Sequence, residues 1–245
     1  MKLLEHKAKE VLSRYGIPVP RGVVASDPEL VKHFPYPAAI KAQVPIGGRG
    51  KAGGVKFAQD FEQAKEFFGQ IIGMDIKGYE VKQVLVEEMV ESEKEFYLSF
   101  MIDRREGMTI LMVSTEGGVE VESVPDEKII KANISPLIGI QPFALKALMM
   151  SLGLSKKEAD DFTGILNICY QAYEKEDAEL IEINPLVVTK EGGFVAVDAK
   201  VTIDDNALAR HPEYQNVPQD ISELEKEARK KGIAFVQLGG DIGVI

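Results

Sequence analysis

Tryptophan is absent from this 245-residue chain, cysteine occurs once (Cys169) and histidine three times. A single cysteine excludes an internal disulfide framework and fits a reducing compartment, so the expected location is cytoplasmic, or the matrix in a mitochondrion. His6, His33 and His211 stand at unrelated spacings, which offers neither a histidine metal cluster nor a catalytic triad. Positive charge is also short: 29 Lys and Arg against 39 Asp and Glu give a net charge of −10. That balance argues against nucleic acid as a partner, since such proteins carry a basic footprint. No run approaches the roughly 18 apolar residues of a membrane span. The opening MKLLEHKAKEVLSRYG is charged throughout and has no apolar signal core. What is present is ordinary globular composition, 45% hydrophobic and 28% charged, in a length that fits one large core or two lobes.

The stretch Ala38–Lys56, AAIKAQVPIGGRGKAGGVK, organises the rest. Gly47, Gly48, Gly50, Gly53 and Gly54 are interrupted by Arg49 and Lys51, and Lys41 stands in the apolar run before them. Glycine lets backbone approach a ligand closely, and N–H groups beside a guanidinium and an ammonium suit polyphosphate. A Walker A loop needs G-x-x-x-x-G-K-[ST], but Ala52 follows Gly50-Lys51 and Pro45 holds the first glycine position. Gly48-x-Gly50-x-x-Gly53 satisfies the dinucleotide pattern, yet that fingerprint must open a helix, whereas Gly54–Ala58 alternates like a strand. Strand, loop, strand remains: a β-hairpin flap over phosphates, or a glycine-rich surface hairpin with no ligand. Arg49 and Lys51 have no evident folding role, which favours the flap. A loop with five glycines is expected to be mobile when empty.

Along the chain, Leu4, Ala8, Val11, Leu12 and Tyr15 share a helical face that Gly16 ends. Strands are expected at Gly22–Ala25, Ala38–Val44, Gln83–Glu88, Glu95–Asp103 and Gly107–Thr115, and the alternation of VEVESV predicts another. Helices are expected after Asp60, from Gln141-Pro142, and from the capping box Ser155-x-x-Glu158 to about Glu174. Two further strands, LIEINPLVV and FVAVDAKVTI, flank Lys190–Gly193. Short helices follow at Asp205–His211 and Ser222–Lys231, and a last strand at IAFVQLGG. The mixed order, without regular βαβ alternation, indicates an α+β fold of two lobes with a nucleotide between them.

Two constellations accompany the flap. Glu182 and Asn184 lie at i and i+2 of a strand and therefore share a face. If residues 189–193 form the hairpin loop, Val188 pairs with Phe194, Asn184 with Asp198 and Glu182 with Lys200. Opposed residues on one face can share a metal, and an amide plus a carboxylate suits Mg²⁺, which takes further oxygens from substrate phosphates. Asn184-Pro185 as a strand-end turn and Asp198 as a surface acid is the alternative. In LVEEMVESEKEFYL a buried strand turns acidic at its end, so Glu87 and Glu95 are candidate acceptors for ribose hydroxyls or the base amino group; a solvated acidic loop would look similar.

The segments YGIPVP, KAQVPIGGRGKAGGVK, LVEEMVESEKEFYL, STEGGVEVE, LIEINPLVVT and VDAKVTIDDNALAR, in this order, resemble the ATP-grasp domain of succinyl-CoA synthetase (succinate–CoA ligase) β subunits. The resemblance implies an ATP-grasp fold, with residues 1–20 and 103–235 as the larger lobe, 21–102 as the smaller, and 236–245 as the truncated start of a CoA-ligase domain. It implies nucleotide contacts at Lys41, Gly48, Arg49 and Gly50, adenine and ribose contacts at Glu87, Glu95 and the main chain near Val90, and Mg²⁺ on Asn184 and Asp198. It also implies that Glu182 faces a phosphohistidine. The implied reaction joins succinate to CoA with Mg-ATP, or GTP, through a phosphohistidine carried on a partner α subunit, in an αβ or α2β2 assembly. CoA and succinate would bind mainly outside this chain, which would not complete the reaction alone. Val44-Pro45-Ile46 stands where many members have Val-His-Ala, and Val197–Lys200 reads VDAK for LDGK; ATP is the expected nucleotide. A malate– or citrate–CoA ligase, a carboxylate–amine ATP-grasp ligase and a non-catalytic nucleotide sensor are the alternatives.

Overall fold

The computed structural model describes residues 1–214, 223–233 and 235. The first helix, α1 (Glu5–Arg14), buries Ala8, Val11 and Leu12, as the apolar spacing requires. The chain then builds a small antiparallel sheet from β1 (Gly22–Ala25), β2 (Ala38–Ala42), β3 (Val55–Ala58) and, after α2 (Phe61–Ile71) and the two-residue strands β4 (Asp75–Ile76) and β5 (Tyr79–Glu80), β6 (Val84–Glu88). The order is β1-β6-β2-β3, with β4 and β5 paired apart. Asp60 caps α2 by accepting from the Gln63 N–H at 2.9 Å. Ile40, Phe68, Ile71, Val84 and Val86 fill the core between α2 and this sheet.

The larger sheet starts with β7 (Ser92–Asp103) and β8 (Met108–Ser114), then β9 (Ile129–Ile134). Helices α3 (Pro142–Ser151) and α4 (Lys156–Lys175) precede β10 (Ala178–Thr189), β11 (Phe194–Ala196) and β12 (Ala199–Ile203), and α5 (Glu223–Lys230) is the last helix described. β10 is central, pairing with β7 on one side and with β11 and β12 on the other. The capping box at α4 forms as its sequence demands, Ser155 accepting from Glu158 N–H and Glu158 from Ser155 N–H. α1 and α4 pack on this sheet around Phe96, Phe100, Phe162, Leu166 and Ile181. Phe96, Phe162 and Phe194 form a tilted aromatic triangle with centroids 5.3–6.1 Å apart.

Two expectations change, and a third lies outside the described residues. Ser92–Ile102 was assigned to the smaller lobe, but the whole of β7 is hydrogen-bonded into the larger sheet, so the smaller group of strands ends at Glu88. The VEVESV segment is not a strand: Val121–Ser123 and Asp126–Lys128 are 3-10 turns, and the strand pairing with β8 is β9 instead. Glu120 and Glu122 are exposed there, and the edge of β8 is taken by β9. The final strand expected at IAFVQLGG lies almost wholly outside the described residues, as does 236–245.

The 3-10 turn Asp205–Arg210 is tied to the larger lobe by His211, whose ring nitrogens meet Asp177 at 2.8 Å and Glu213 at 3.3 Å. Burial alone would lower the His211 pKa, but the bonds to Asp177 and Glu213 and their charges raise it above its ordinary 6.5. A raised folded-state pKa means that this contribution is complete below about pH 6.5 and is lost as pH rises through the higher folded value. Unfolding profiles of wild type and His211→Gln between pH 5 and 9 should therefore converge towards the alkaline end. A constant difference across the range would exclude a charged His211.

Candidate active site between the lobes

The hairpin over residues 182–200 adopts the register expected from the sequence. Val188 pairs with Phe194 and Glu182 with Lys200, and the Asn184 N–H donates to the Asp198 carbonyl at 3.1 Å. On the other edge of β10 the register shifts: Ile183 stands against Leu98 and Leu186 against Phe96, so Asn184 and Pro185 together oppose Tyr97. Such a bulge re-aims side chains locally. Glu182, Asn184, Asp198 and Lys200 all line a cleft of about 840 Å³, which Gly48, Arg49, Gly50 and Lys51 close from the smaller lobe.

The glycine stretch is a hairpin loop, as expected, with Lys41 on β2 opposite Val55 on β3. It is less free than its composition suggests. The Ala52 N–H donates to Gly48, Gly53 to Gly50 and Gly54 to Arg49, the last at 2.8 Å. Gly54 is packed so closely that an added Cβ would meet Ile76 at 2.8 Å and Ala42 at 3.1 Å. At the tip, the Lys51 ammonium meets the Glu120 carboxylate at 2.5 Å across the cleft mouth.

Arg49 does have a folding role. Its guanidinium donates from Nη2 to both oxygens of Asp198 at 2.9 Å, and from Nη1 to Glu5 and to the Ala42 carbonyl. Glu5, in the first turn of α1, also meets Lys41 at 3.0 Å and Lys9 at 2.9 Å. Glu87 takes Lys9 at 2.6 Å and Lys41 at 2.9 Å, and Lys41 donates further to the Val197 carbonyl at 2.8 Å. Three cations and three carboxylates therefore form one network between the lobes. Burial opposes ionisation of Glu5, yet Lys41, Arg49 and Lys9 together hold its carboxyl well below the usual range. Burial likewise disfavours charge on Lys41 and Arg49, and the neighbouring carboxylates outweigh it, raising both.

Asn184 is held by the loop after β8: its Oδ1 accepts from the Gly118 N–H at 2.8 Å and its Nδ2 donates to the Val119 carbonyl at 2.7 Å. That loop can pass only as glycine, because a Cβ on Gly117 would lie 2.6 Å from the Phe96 amide nitrogen. Glu182 is half-buried, with the Tyr97 hydroxyl 3.5 Å away. Burial, then the Glu122 and Asp198 charges, raise its pKa against the pull of Lys200.

The structure thus brings together Gly48, Arg49, Gly50, Glu182, Asn184 and Asp198 on one cleft, with Lys41 buried beside them. It does not bring Glu87, Val90 and Glu95 into the lining of that cleft. Glu87 is a buried counter-ion to two lysines rather than an open acceptor, and Glu95 accepts from the Ser92 hydroxyl at 2.9 Å. Glu5 and Lys9 escaped sequence reasoning because charges on an amphipathic helix ordinarily read as its solvated face. A signal was available: they share an i, i+4 face with one another. A further acidic group, Glu176, His211 and Glu213, has ligand-like spacing, but Arg14, Tyr15, Tyr214 and Asp177 already partner its members.

An interlobe cleft roofed by a cationic glycine hairpin and floored by an Asn and an Asp defines a class of nucleotide-dependent ligases, and residues 2–188 match the family described as the ATP-grasp domain. The chain belongs to that family, and within it to the β subunits of succinate–CoA ligase. It is 46% identical over 254 residues to the GDP-forming succinate–CoA ligase β subunit of Thermus thermophilus. It is 43% identical over 253 residues to the ADP-forming β subunit of Ignicoccus hospitalis. Each comparison covers all of this chain and 67% of the relative. In fold it is similar to the dinucleotide-forming acetyl-coenzyme A synthetase 1 of Ca. Korarchaeum cryptofilum, solved with coenzyme A and Mg-AMPPCP and with its phosphohistidine segment pointing towards the nucleotide site. That likeness has a TM-score of 0.62 at 20% identity and covers 83% of this chain and 93% of the other.

Removing one member of a buried ion pair strands its partners. Lys41→Met should lower folding stability towards the lower end of roughly 3–5 kcal/mol, because Lys9 still serves Glu5 and Glu87. Denaturant unfolding without nucleotide measures this. Unchanged stability would mean that the network is not closed in solution.

Proposed function

We propose that this chain is the nucleotide-binding unit of an acid–thiol ligase that joins succinate to CoA, exchanging a phosphoryl group between Mg-ATP and a histidine on a partner α subunit. The observation that carries this is the Asn184–Asp198 pair on one sheet face, with the flap arginine Arg49 seated on Asp198. The donor set fits magnesium: an amide oxygen and a carboxylate are hard oxygens, and the guanidinium on Asp198 marks the carboxylate as a cation seat. When bound, the ion would neutralise the terminal phosphates and tie them to the β10–β12 hairpin.

The chain's own residues supply positioning and charge, which dominate phosphoryl transfer. Lys41 and Arg49 are proposed to orient the phosphates, and the backbone N–H groups around Gly48 and Gly50 to line them while the flap excludes water. Glu182, half-buried on the same face, would accept a hydrogen bond from the ring of an incoming histidine and so hold it in line. This chain's histidines are poorly suited to carry phosphate themselves. His6 is bonded to Gln43 at 3.0 Å, His211 is engaged by Asp177 and Glu213, and His33 is exposed and does not line the cleft. ADP is the proposed nucleotide product, as in the name of the Ignicoccus hospitalis relative; the Thermus thermophilus relative is named for GDP. No helix among the described residues is long and apolar enough to cross a membrane.

Calorimetry on the purified chain should detect Mg-ADP binding that Asp198→Asn weakens at least about tenfold, the loss of one charge-assisted contact. The same change should alter folding stability by only about 1 kcal/mol, because the Asp198 side chain is 39% exposed. Unchanged Mg-ADP affinity in the variant would remove Asp198 from the metal site.

A further inference from the structure

We infer that Glu5 is a positioning residue for phosphate recognition, setting how strongly nucleotide binding depends on the divalent cation. It rests on the proposed role of Lys41, Arg49 and Asp198, and goes beyond it by assigning a task to an acid on the first helix, which packs on the larger sheet.

The geometry is specific. Arg49 divides its fork: one nitrogen, Nη1, is held by Glu5 and the other, Nη2, by Asp198. Both acids border the cleft, but the Glu5 side chain is only 1% exposed and lies behind Arg49, whereas the more exposed Asp198 is open to an incoming ion. With Asp198 holding a divalent cation, Arg49 would lose the oxygens that hold Nη2 and keep Nη1 on Glu5. The guanidinium would then be free at one end only, and that end already borders the cleft where phosphate would sit. Lys41 shares the same Glu5 carboxylate, so both phosphate-directed cations pivot on one anchor.

Charge balance points the same way. Lys9, Lys41 and Arg49 match Glu5, Glu87 and Asp198 one for one, so the network is neutral and offers a free anion little net attraction. Committing Asp198 to a metal leaves three cations facing two carboxylates, and the surplus charge falls on the arginine nearest the phosphates. Cation and nucleotide binding are therefore coupled through Glu5 and its partners.

Glu5→Gln keeps shape and hydrogen bonding but removes the charge. It should leave the network positive without any metal, so metal-free ADP should bind more tightly while Mg-ADP gains little. The ratio of ADP affinities with and without Mg²⁺ should fall by about threefold to tenfold, the effect of one charge across a partly screened cleft. Lys9→Met, which does not touch the cleft, leaves the network negative and should move that ratio the opposite way by a similar factor. Both are read by calorimetry on the full chain with ADP, with and without Mg²⁺, alongside thermal unfolding. A purely structural role for Glu5 would lower unfolding temperature and both affinities together, leaving the ratio in place. If Glu5→Gln does not fold, Lys9→Met still decides: an unmoved ratio overturns the inference. Wild-type chain that binds no Mg-ADP would instead overturn the proposed function itself, so the two failures are distinguishable.

Discussion

Five charged side chains that cannot reach bulk water must satisfy one another and the half-exposed Asp198, and much of the arrangement between the lobes follows from that requirement. Glu5 and Lys9 come from the first helix, Lys41 and Glu87 from the central strands of the small sheet, Arg49 from the flap and Asp198 from the hairpin of the large sheet. A buried charge without its partner is strongly destabilising, so separating the lobes here would expose or orphan several at once. The network thereby adds an electrostatic hold on the flap to the packing of Ile46 and Ala52 against the core of the smaller lobe. Asp198 alone among the six has a substantially exposed side chain, which makes it the member able to exchange partners.

The large sheet supplies the complementary face. β10 is in register with β11 and β12 along the 182–200 hairpin, yet slips by one residue against β7 at Asn184-Pro185. The slip lets Asn184 reach the glycine turn at Gly118 while its backbone stays bonded to Asp198. The same loop then runs to Glu120, which meets Lys51 of the flap. Floor, rim and roof of the cleft are thus linked through single contacts, each of which the sequence marks with a glycine or a charge.

Much of this was legible in the sequence. The helix faces, the Asp60 and Ser155 caps, the flap as a hairpin and the register pairing Asn184 with Asp198 all follow from local periodicity and turn chemistry, which act over a few residues. What was not legible depends on distant segments meeting. Arg49 looked like a free ligand cation because its partners lie 44 and 149 positions away, at Glu5 and Asp198. Glu87 looked like an open acceptor because nothing nearby announces Lys9. Alternation in VEVESV suggested a strand, but strand formation also needs an unpaired neighbour, and the edge of β8 is taken by β9. The lobe boundary moved for the same reason: β7 finds its partners in β8 and β10, late in the chain.

Arg49 sits on Asp198, and the proposed function requires it to yield that carboxylate when a metal–nucleotide complex binds. A crystal structure of this chain with Mg²⁺ and a non-hydrolysable ATP analogue tests it directly. Asp198 and Asn184 should hold the ion, with Arg49 Nη2 turned to a phosphate oxygen and Nη1 still on Glu5. Arg49 remaining bidentate on Asp198, with the ion bound elsewhere, would contradict it.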